Sequence, residues 1–378
     1  MLISDITLTL FFSRSMSLKG WYDTGMIDRE VVLYNKLKDK GISINFVTYG
    51  NSSEFEYQNR IPGIKILCNR WSLPNRVYEK ILYLIHAKTL KTSNLIKTNQ
   101  MNGADVAFRY AYRHRKPLIG RMGYLWSDFV ARENGSSDDM VLKARITEDK
   151  LFKSSNRIVV TTAEMADSIQ DRIPDEREKP VVIPNYVETD RFSPDADQPK
   201  EFDVIFVGRL CDQKNVSGLL KAIKDLHVKA LIVGDGDLKG ALQNEFRNLN
   251  VNVRWENKVP NCDLPIFMNR SRLFVLPSFY EGHPKTLIEA MSCGLPVIGA
   301  DSPGISGIID HGVNGLLCNT DAESIRLSIQ MLLEDIGLSE RLGKNARKYI
   351  LNYFSLERVI EMEYQLYHEV LKEHVSQV

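Results

Sequence analysis

The sequence predicts an α/β protein built from two doubly wound, Rossmann-like domains facing across a cleft. Three observations predict it. The chain has 378 residues, more than one hydrophobic core ordinarily organises. Short Val/Ile/Leu-rich runs alternate with helix-length amphipathic segments throughout, the pattern of parallel sheets covered on both faces. One stretch rich in Pro and Asp, "YVETDRFSPDADQPKEFD" from Tyr186 to Asp203, interrupts that alternation near the middle, as a linker does.

In the first half, "ITLTLFF", "ISINFVTYG", "IKIL", "ADVAFRY", "PLIGR", "RIVVTT" and "PVVIPN" read as strands. Between the first two, "IDREVVLYNKLKDKG" reads as a helix, with Val31, Val32, Asn35 and Leu37 near helical spacing and Gly41 as its stop. "YEKILYLIHAKTLKTSNLIK", Tyr78 to Lys97, reads as a second, amphipathic helix with Lys80, Lys88, Lys91 and Lys97 on its basic side. In the second half, "DVIFVG", "VKALIVG", "VNVRW", "RLFVLPS", "LPVIGA" and "GLLC" are strands, and the segment from about Ser355 onward is a final helix. The expected domains are residues 1–196, residues 197–354, and a closing helix over 355–378 that crosses back to the first domain.

Composition narrows the class. Hydrophobic residues make up 43% and charged residues 26%, with a formal net charge of +1. That balance is globular and argues against a nucleic-acid-coating protein. The start, "MLISDITLTLFF", lacks a basic leader region and carries Asp5, so it reads as a core strand and not a signal peptide. No apolar run approaches the roughly 18 residues of a membrane span. Cys68, Cys211, Cys262, Cys293 and Cys318 are scattered without a C-x-x-C pair, which fits reduced thiols in a cytoplasmic protein.

Two loops carry the chemistry. In "LPSFYEGHPKTLIEAMSCG" a buried strand runs into a helix that Pro284 opens and Gly294 stops. Gly282 permits close approach of a ligand, and the amides of Lys285, Thr286 and Leu287 at the helix start favour an anion, most simply a phosphate. Glu281 and Glu289 flank that cradle and can bind vicinal hydroxyls, although Glu289 could equally pair with Lys285 one turn back. In "DVIFVGRLCDQKN" another strand ends at Gly208, followed by Arg209 and Lys214. These cations suit a diphosphate, Arg209 through its fork and Lys214 as a point charge. Together the loops describe a site for a nucleotide-sugar.

The pieces "VGRL…K", "LPSFYEGHPKTLIEAMSCGLPVI" and "GVNGLLC" resemble the nucleotide-sugar-dependent glycosyltransferases of family 4, which share the GT-B fold. The resemblance is dense from about Asp203 to Asn319. It implies that Arg209 and Lys214 hold the donor diphosphate, that Glu289 binds the donor ribose, and that Glu281 contacts the transferred sugar. It also implies that Gly208, Gly282, His283, Lys285, Thr286 and Leu287 line the donor, with Glu281, Arg209 and Lys214 closest to the chemistry. It further implies transfer of a hexosyl unit with retention of anomeric configuration, no metal or other cofactor, and a saccharide or lipid-linked acceptor in cell-surface polysaccharide or lipopolysaccharide synthesis. A UDP-sugar is expected ahead of a GDP-sugar. The chain departs from the family where a His often follows a first-domain strand: here stand Arg121, Gly123 and Tyr124. It departs again at Gly307, where a Glu is frequent. A sugar-nucleotide 2-epimerase and a non-catalytic nucleotide-sugar-binding subunit use the same fold and remain alternatives.

Three further signals stay outside that picture. "GDGDLKG" (Gly234 to Gly240) offers a D-x-D, with Asp235 and Asp237, but its glycines miss the dinucleotide spacing by one; a strand-to-helix turn is expected. "FRYAYRHRK" gathers Arg109, Arg113, His114, Arg115 and Lys116, able to meet phosphorylated saccharides or lipid headgroups, or simply water. Tyr78 to Lys97 reads first as a helix packed on the core; with this cluster it also raises the expectation of peripheral association with an anionic membrane on its inner face.

Overall fold

The computed structural model describes residues 5–135, 139–173, 180–224, 226–247 and 251–377. Two compact units emerge: one comprises the chain up to Pro184 and from Ile360 onward, the other Asn185–Val359.

The first unit runs β1 (Thr7–Phe11), α1 (Leu18–Asp23), α2 (Ile27–Asp39), β2 (Ser43–Val47), β3 (Lys65–Leu67), α3 (Asn75–Ile85), α4 (Ala87–Leu90), β4 (Leu95–Thr98) and α5 (Ala104–Arg113). It continues with β5 (Leu118–Arg121), α6 (Trp126–Asn134), α7 (Asp139–Ser154), β6 (Arg157–Val160), α8 (Ala163–Arg172) and β7 (Val181–Val182). Its parallel sheet has the order β3-β2-β1-β4-β5-β6-β7. The second unit runs β8 (Phe202–Val207), α9 (Val216–Ile223), β9 (Lys229–Val233), α10 (Lys239–Phe246), β10 (Asn252–Glu256), α11 (Leu264–Asn269), β11 (Ser271–Leu276), α12 (Lys285–Ser292), β12 (Val297–Ala300), β13 (Leu316–Cys318), α13 (Ala322–Glu334) and α14 (Ile336–Tyr353). A last helix, α15 (Leu356–Gln377), carries the chain back to the first unit.

The second sheet is also parallel, in the order β10-β9-β8-β11-β12-β13. Central strands are buried along their length, as Val204, Ile205 and Phe206 in β8 and Leu273 to Leu276 in β11 illustrate. The direction of winding reverses between β8 and β11, and ligands of open parallel sheets bind at the carboxyl ends of strands at such a reversal. The two loops singled out in the sequence are the ones leaving β8 and β11.

Two expected elements are different. "ADVAFRY" is not a strand but the start of α5, because Ala104, Ala107, Tyr110 and Ala111 recur at helical spacing and face inward together with Val106. The segment Tyr78–Lys97 is not one helix. It breaks after Ile85 and Leu90 and ends in β4, where Lys97 is fully buried and donates to Glu363 Oε1 at 2.5 Å and to the Tyr367 hydroxyl at 3.0 Å. Its charge is therefore spent on α15 and not on a basic surface. The second unit also begins earlier than residue 197. Val187 bridges to Ser355 and Phe192 packs into the core of that unit, so the Pro/Asp-rich stretch is bound to the domain it precedes.

Candidate functional site

The loop after β8 is held by the loop after β9. Gly208 N donates to Val233 O at 3.0 Å, Leu210 N to Asp235 O at 2.9 Å, and Leu238 N to Leu210 O at 3.1 Å. These backbones approach so closely that a Cβ on Gly234, whose φ is +148°, would lie 1.9 Å from Gly208 O. The glycine of "GDGDLKG" is thus explained by loop-on-loop packing. Asp235 is two-thirds exposed, 3.9 Å from Lys239, and among the described residues no group of three or more His, Cys, Asp or Glu gathers as metal ligands do.

The loop after β11 is fastened to the same place. Phe279 N donates to Gln213 O at 2.9 Å, and Gln213 Nε2 donates to Tyr280 O at 2.8 Å. Asn215, in the left-handed region at φ 50°, donates from Nδ2 to Pro277 O and to Thr320 O. Glu281 N donates to Pro303 O at 2.8 Å, and a Cβ on Gly304 (φ +80°) would lie 2.4 Å from Glu281 O. This frame sets Lys214 Nζ 2.5 Å from Glu281 Oε1, with the two side chains only 12% and 8% exposed. The cation read as a diphosphate ligand and the acid read as a sugar ligand are therefore an ion pair.

Next along the chain, α12 starts after Pro284, and its first internal hydrogen bond joins Ile288 N to Pro284 O. The amides of Lys285, Thr286 and Leu287 precede that bond and belong to the helix's electropositive end. Lys285 and Thr286 are half-buried, whereas the Leu287 side chain is in the core. Glu289 is 1% exposed, and Asn261 Nδ2, in the loop after β10, donates to its Oε1 at 2.9 Å. Arg209 is exposed on its loop and Gly282 is half-buried. His283 is buried, with its ring edge-on to Phe354 at 5.2 Å and its carbonyl accepting from Asn185 Nδ2 at 2.8 Å. That environment gives the imidazole a packing position.

Sequence reasoning missed three residues. Gln213 and Asn215, which tie the loops together, flank Lys214 and are polar residues at a strand-to-helix turn, a weak signal. Asn261 had none beyond its place after a strand. In the first unit, the residues standing at the position of the family His lie on the loop leaving β5. Arg121 Nη1 donates to Asn99 O at 3.2 Å, Gly123 N donates to Gln100 Oε1 at 2.8 Å, and the exposed Tyr124 ring sits 4.6 Å from Phe129. Of the basic cluster, Arg109 pairs with Asp105 at 2.6 Å, and Arg113, His114 and Arg115 are exposed. All five cysteines are free, and no helix of the described residues is long and apolar enough to cross a membrane.

Comparison with known proteins bears on the fold and the second unit. Residues 188–349 match the family model described as glycosyl transferases group 1. An uncharacterized glycosyltransferase of Methanocaldococcus jannaschii is 25% identical over 89% of this chain and 92% of its own length. The UDP-Gal:alpha-D-GlcNAc-diphosphoundecaprenol alpha-1,3-galactosyltransferase of Escherichia coli is 28% identical over 49% of this chain and 53% of its own. Among solved structures, sucrose-phosphate synthase from Thermosynechococcus elongatus superposes with a TM-score of 0.76 at 19% identity, covering 97% of this chain and 100% of that one. Anabaena HepE in complex with UDP-glucose gives 0.74 at 17% identity, covering 99% and 100%. The second unit thus carries the match to the glycosyl transferases group 1 model, and the chain has the two-unit GT-B fold of these solved structures.

Proposed function

We propose that the protein moves a hexosyl unit from a nucleoside diphosphate sugar to a hydroxyl of a saccharide or lipid-linked saccharide. Transfer retains the anomeric configuration, uses no metal, and serves the synthesis of a cell-surface polysaccharide or lipopolysaccharide. The observation that carries this reading is the Lys214–Glu281 pair, which joins the loop after β8 to the loop that leads into α12 at the winding reversal of the second sheet. The diphosphate lies against Arg209, Lys214 and the first amides of α12. Glu289 accepts from the ribose hydroxyls and Glu281 from the hexose. As the bond from the anomeric carbon to the diphosphate breaks, negative charge grows where these donors already point, which lowers the barrier without reorganisation. The acceptor oxygen bonds to the same carbon, and its proton passes to a phosphate oxygen of the departing diphosphate. UDP is the favoured nucleotide of the donor because HepE was solved with UDP-glucose and the E. coli relative is named for UDP-Gal.

The reading includes a place of work, the inner face of a membrane. Leu84 on α3 and Tyr112 on α5 are 78% and 79% exposed, and Leu142 and Ile146 project from α7. Lys80 on α3, Lys88 on α4, Arg113 and Arg115 at the end of α5, and Lys143 and Arg145 on α7 are exposed as well. Apolar side chains among cations match an anionic bilayer surface. Sedimentation with vesicles of anionic and neutral phospholipid tests this: binding to the anionic vesicles that fades with salt is expected, and no binding at low salt rejects it.

The main test is incubation with UDP- and GDP-sugars, with and without saccharide acceptors, in the presence of EDTA. Acceptor-dependent release of UDP that survives EDTA is expected. Isomerisation of the donor without acceptor, or tight binding without turnover, overturns the transferase reading. Loss of turnover in EDTA with rescue by Mn²⁺ overturns metal independence alone.

A further inference from the structure

The proposed transfer needs a second substrate, and the first unit contains a cavity of about 380 Å³ that none of the donor residues touches. It lies where the loops leaving β1 and β4 reach α5 and α7, and its wall includes Arg14, Asp105, Phe108, Arg109, Trp126 and Lys150. Cavities that hold small molecules span roughly 300–1,000 Å³, so this one suits a ligand of modest size.

Its charges are ordered and unequal. Arg14 donates from Nε to Glu79 at 2.6 Å and from Nη2 to Asp105 Oδ1 at 2.9 Å. Arg109 donates to Asp105 Oδ2 at 2.6 Å, so two guanidinium groups converge on one carboxylate. Lys150 is exposed, and among the described residues its ammonium has no carboxylate partner. Three cations thus meet two carboxylates, one of which is 11% exposed, and one positive charge is left over. Half-buried Phe108 and Trp126 supply aromatic surface beside that charge, and the indole N–H adds a donor.

We propose that this cavity holds the acceptor, and that the acceptor is a saccharide bearing a phosphate. The sugar ring lies against Trp126 and Phe108, an Asp105 oxygen accepts from a ring hydroxyl, and the phosphate is met by Arg109 and Lys150. A neutral sugar would leave the surplus cation unanswered, and a bare anion would leave the aromatic surface unused. The inference rests on the transferase reading above and names the acceptor class for it. The phosphate can belong to a soluble glycosyl phosphate or to a lipid-linked one.

Calorimetry on the full chain with saturating UDP tests the proposal, because the nucleotide occupies any phosphate site in the second unit. The probes are glucose 1-phosphate, glucose, inorganic phosphate and an N-acetylglucosaminyl diphosphate of a short-chain prenol in neutral detergent micelles. At least one phosphorylated sugar is expected to bind, with glucose and inorganic phosphate about tenfold weaker or worse. Trp126→Ala and Lys150→Ala, both at accessible positions, should each weaken that binding about tenfold while leaving UDP affinity unchanged. Tighter binding of the prenol-linked probe assigns the lipid source, and equal or tighter binding of glucose 1-phosphate assigns the soluble one. No binding by either phosphorylated sugar, or binding that both variants leave intact, overturns the proposal. A chain that binds the phosphorylated sugar through Trp126 and Lys150 but never binds UDP keeps the cavity's ligand class and sinks the transferase reading instead.

Discussion

Replacing Glu281 by Gln should tighten the binding of bare UDP while slowing the transfer of sugar. In the free protein Glu281 neutralises Lys214 at 2.5 Å, within a setting where both side chains are at least 88% shielded. A diphosphate arriving at Lys214 must share that cation with a carboxylate already bonded to it, and it meets the carboxylate's own charge. Two unit charges about 4 Å apart interact by roughly 4 kcal/mol at an effective dielectric of about 20, and a charge-assisted hydrogen bond is worth about 1.5–3 kcal/mol. Recovering even about 1.4 kcal/mol of this corresponds to about tenfold in affinity. The sugar, by contrast, loses a carboxylate beside a carbon on which positive charge builds, so kcat should fall more than KM rises. Calorimetric titration with UDP, paired with steady-state rates on UDP-glucose, reads both effects. A UDP dissociation constant within twofold of the parent, or weaker, would refute the idea that Glu281 competes with the diphosphate for Lys214. Lys214→Ala supplies the opposite arm: it should weaken UDP, both by losing the cation and by leaving the Glu281 charge unopposed, and adding Glu281→Gln to it should recover the second part only.

Glu289→Gln should raise donor KM about tenfold with a smaller change in kcat, because a ribose contact is alike in ground and transition states; Asn261→Ala, which removes the donor to Glu289 Oε1, should act in the same direction when donor saturation is measured. Gly234→Ala puts a Cβ 1.9 Å from Gly208 O at a φ of +148°. It should cost about 3 kcal/mol or more and lower the melting temperature by roughly 6 °C or more, with UDP binding impaired in parallel. His86 is buried beside the Tyr78 hydroxyl, and burial pushes its imidazole down to about 4. The unfolded chain therefore takes up this proton near pH 6.5 and the folded chain only near 4. Stability present above pH 6.5 should fall by up to about 3 kcal/mol as pH drops to 4, and a His86→Gln variant should show a flatter pH profile of thermal unfolding over that window.

In the second sheet β8, β9, β11 and β12 were legible because they are buried along most of their length and read as apolar runs. β4 was hidden by the same physics working in reverse. Lys97 sits inside "NLIKT" and reads as a solvated position, and the partner that permits its burial, Glu363, lies 266 residues away. The start of α5 misled because Val106, Phe108 and Tyr110 alternate like a strand, while the alanines that complete the helical stripe carry little hydrophobic signal. At the site, residue types and loop positions were legible from glycine, proline and charge at strand ends. Their pairing was not: Lys214 and Glu281 are 67 residues apart, and the pairing of β8 with β11 together with the hydrogen bonds of Gln213 and Asn215 brings their loops into register.

The Lys97–Glu363 bond also dictates an order of events on the ribosome. The strand that carries the lysine is synthesised long before the helix that carries its counter-ion, with the whole second unit in between. At roughly 5–20 residues per second, the 266-residue separation amounts to a wait on the order of 13–50 seconds. During that interval the nascent first unit must keep β4 open to water, bury an ammonium with no opposing charge, or bury the amine without its proton, as burial favours for Lys97. Closure of the first unit around β4 thus waits for the helix that carries Glu363, even though nearly all of that unit's sequence up to Pro184 comes first.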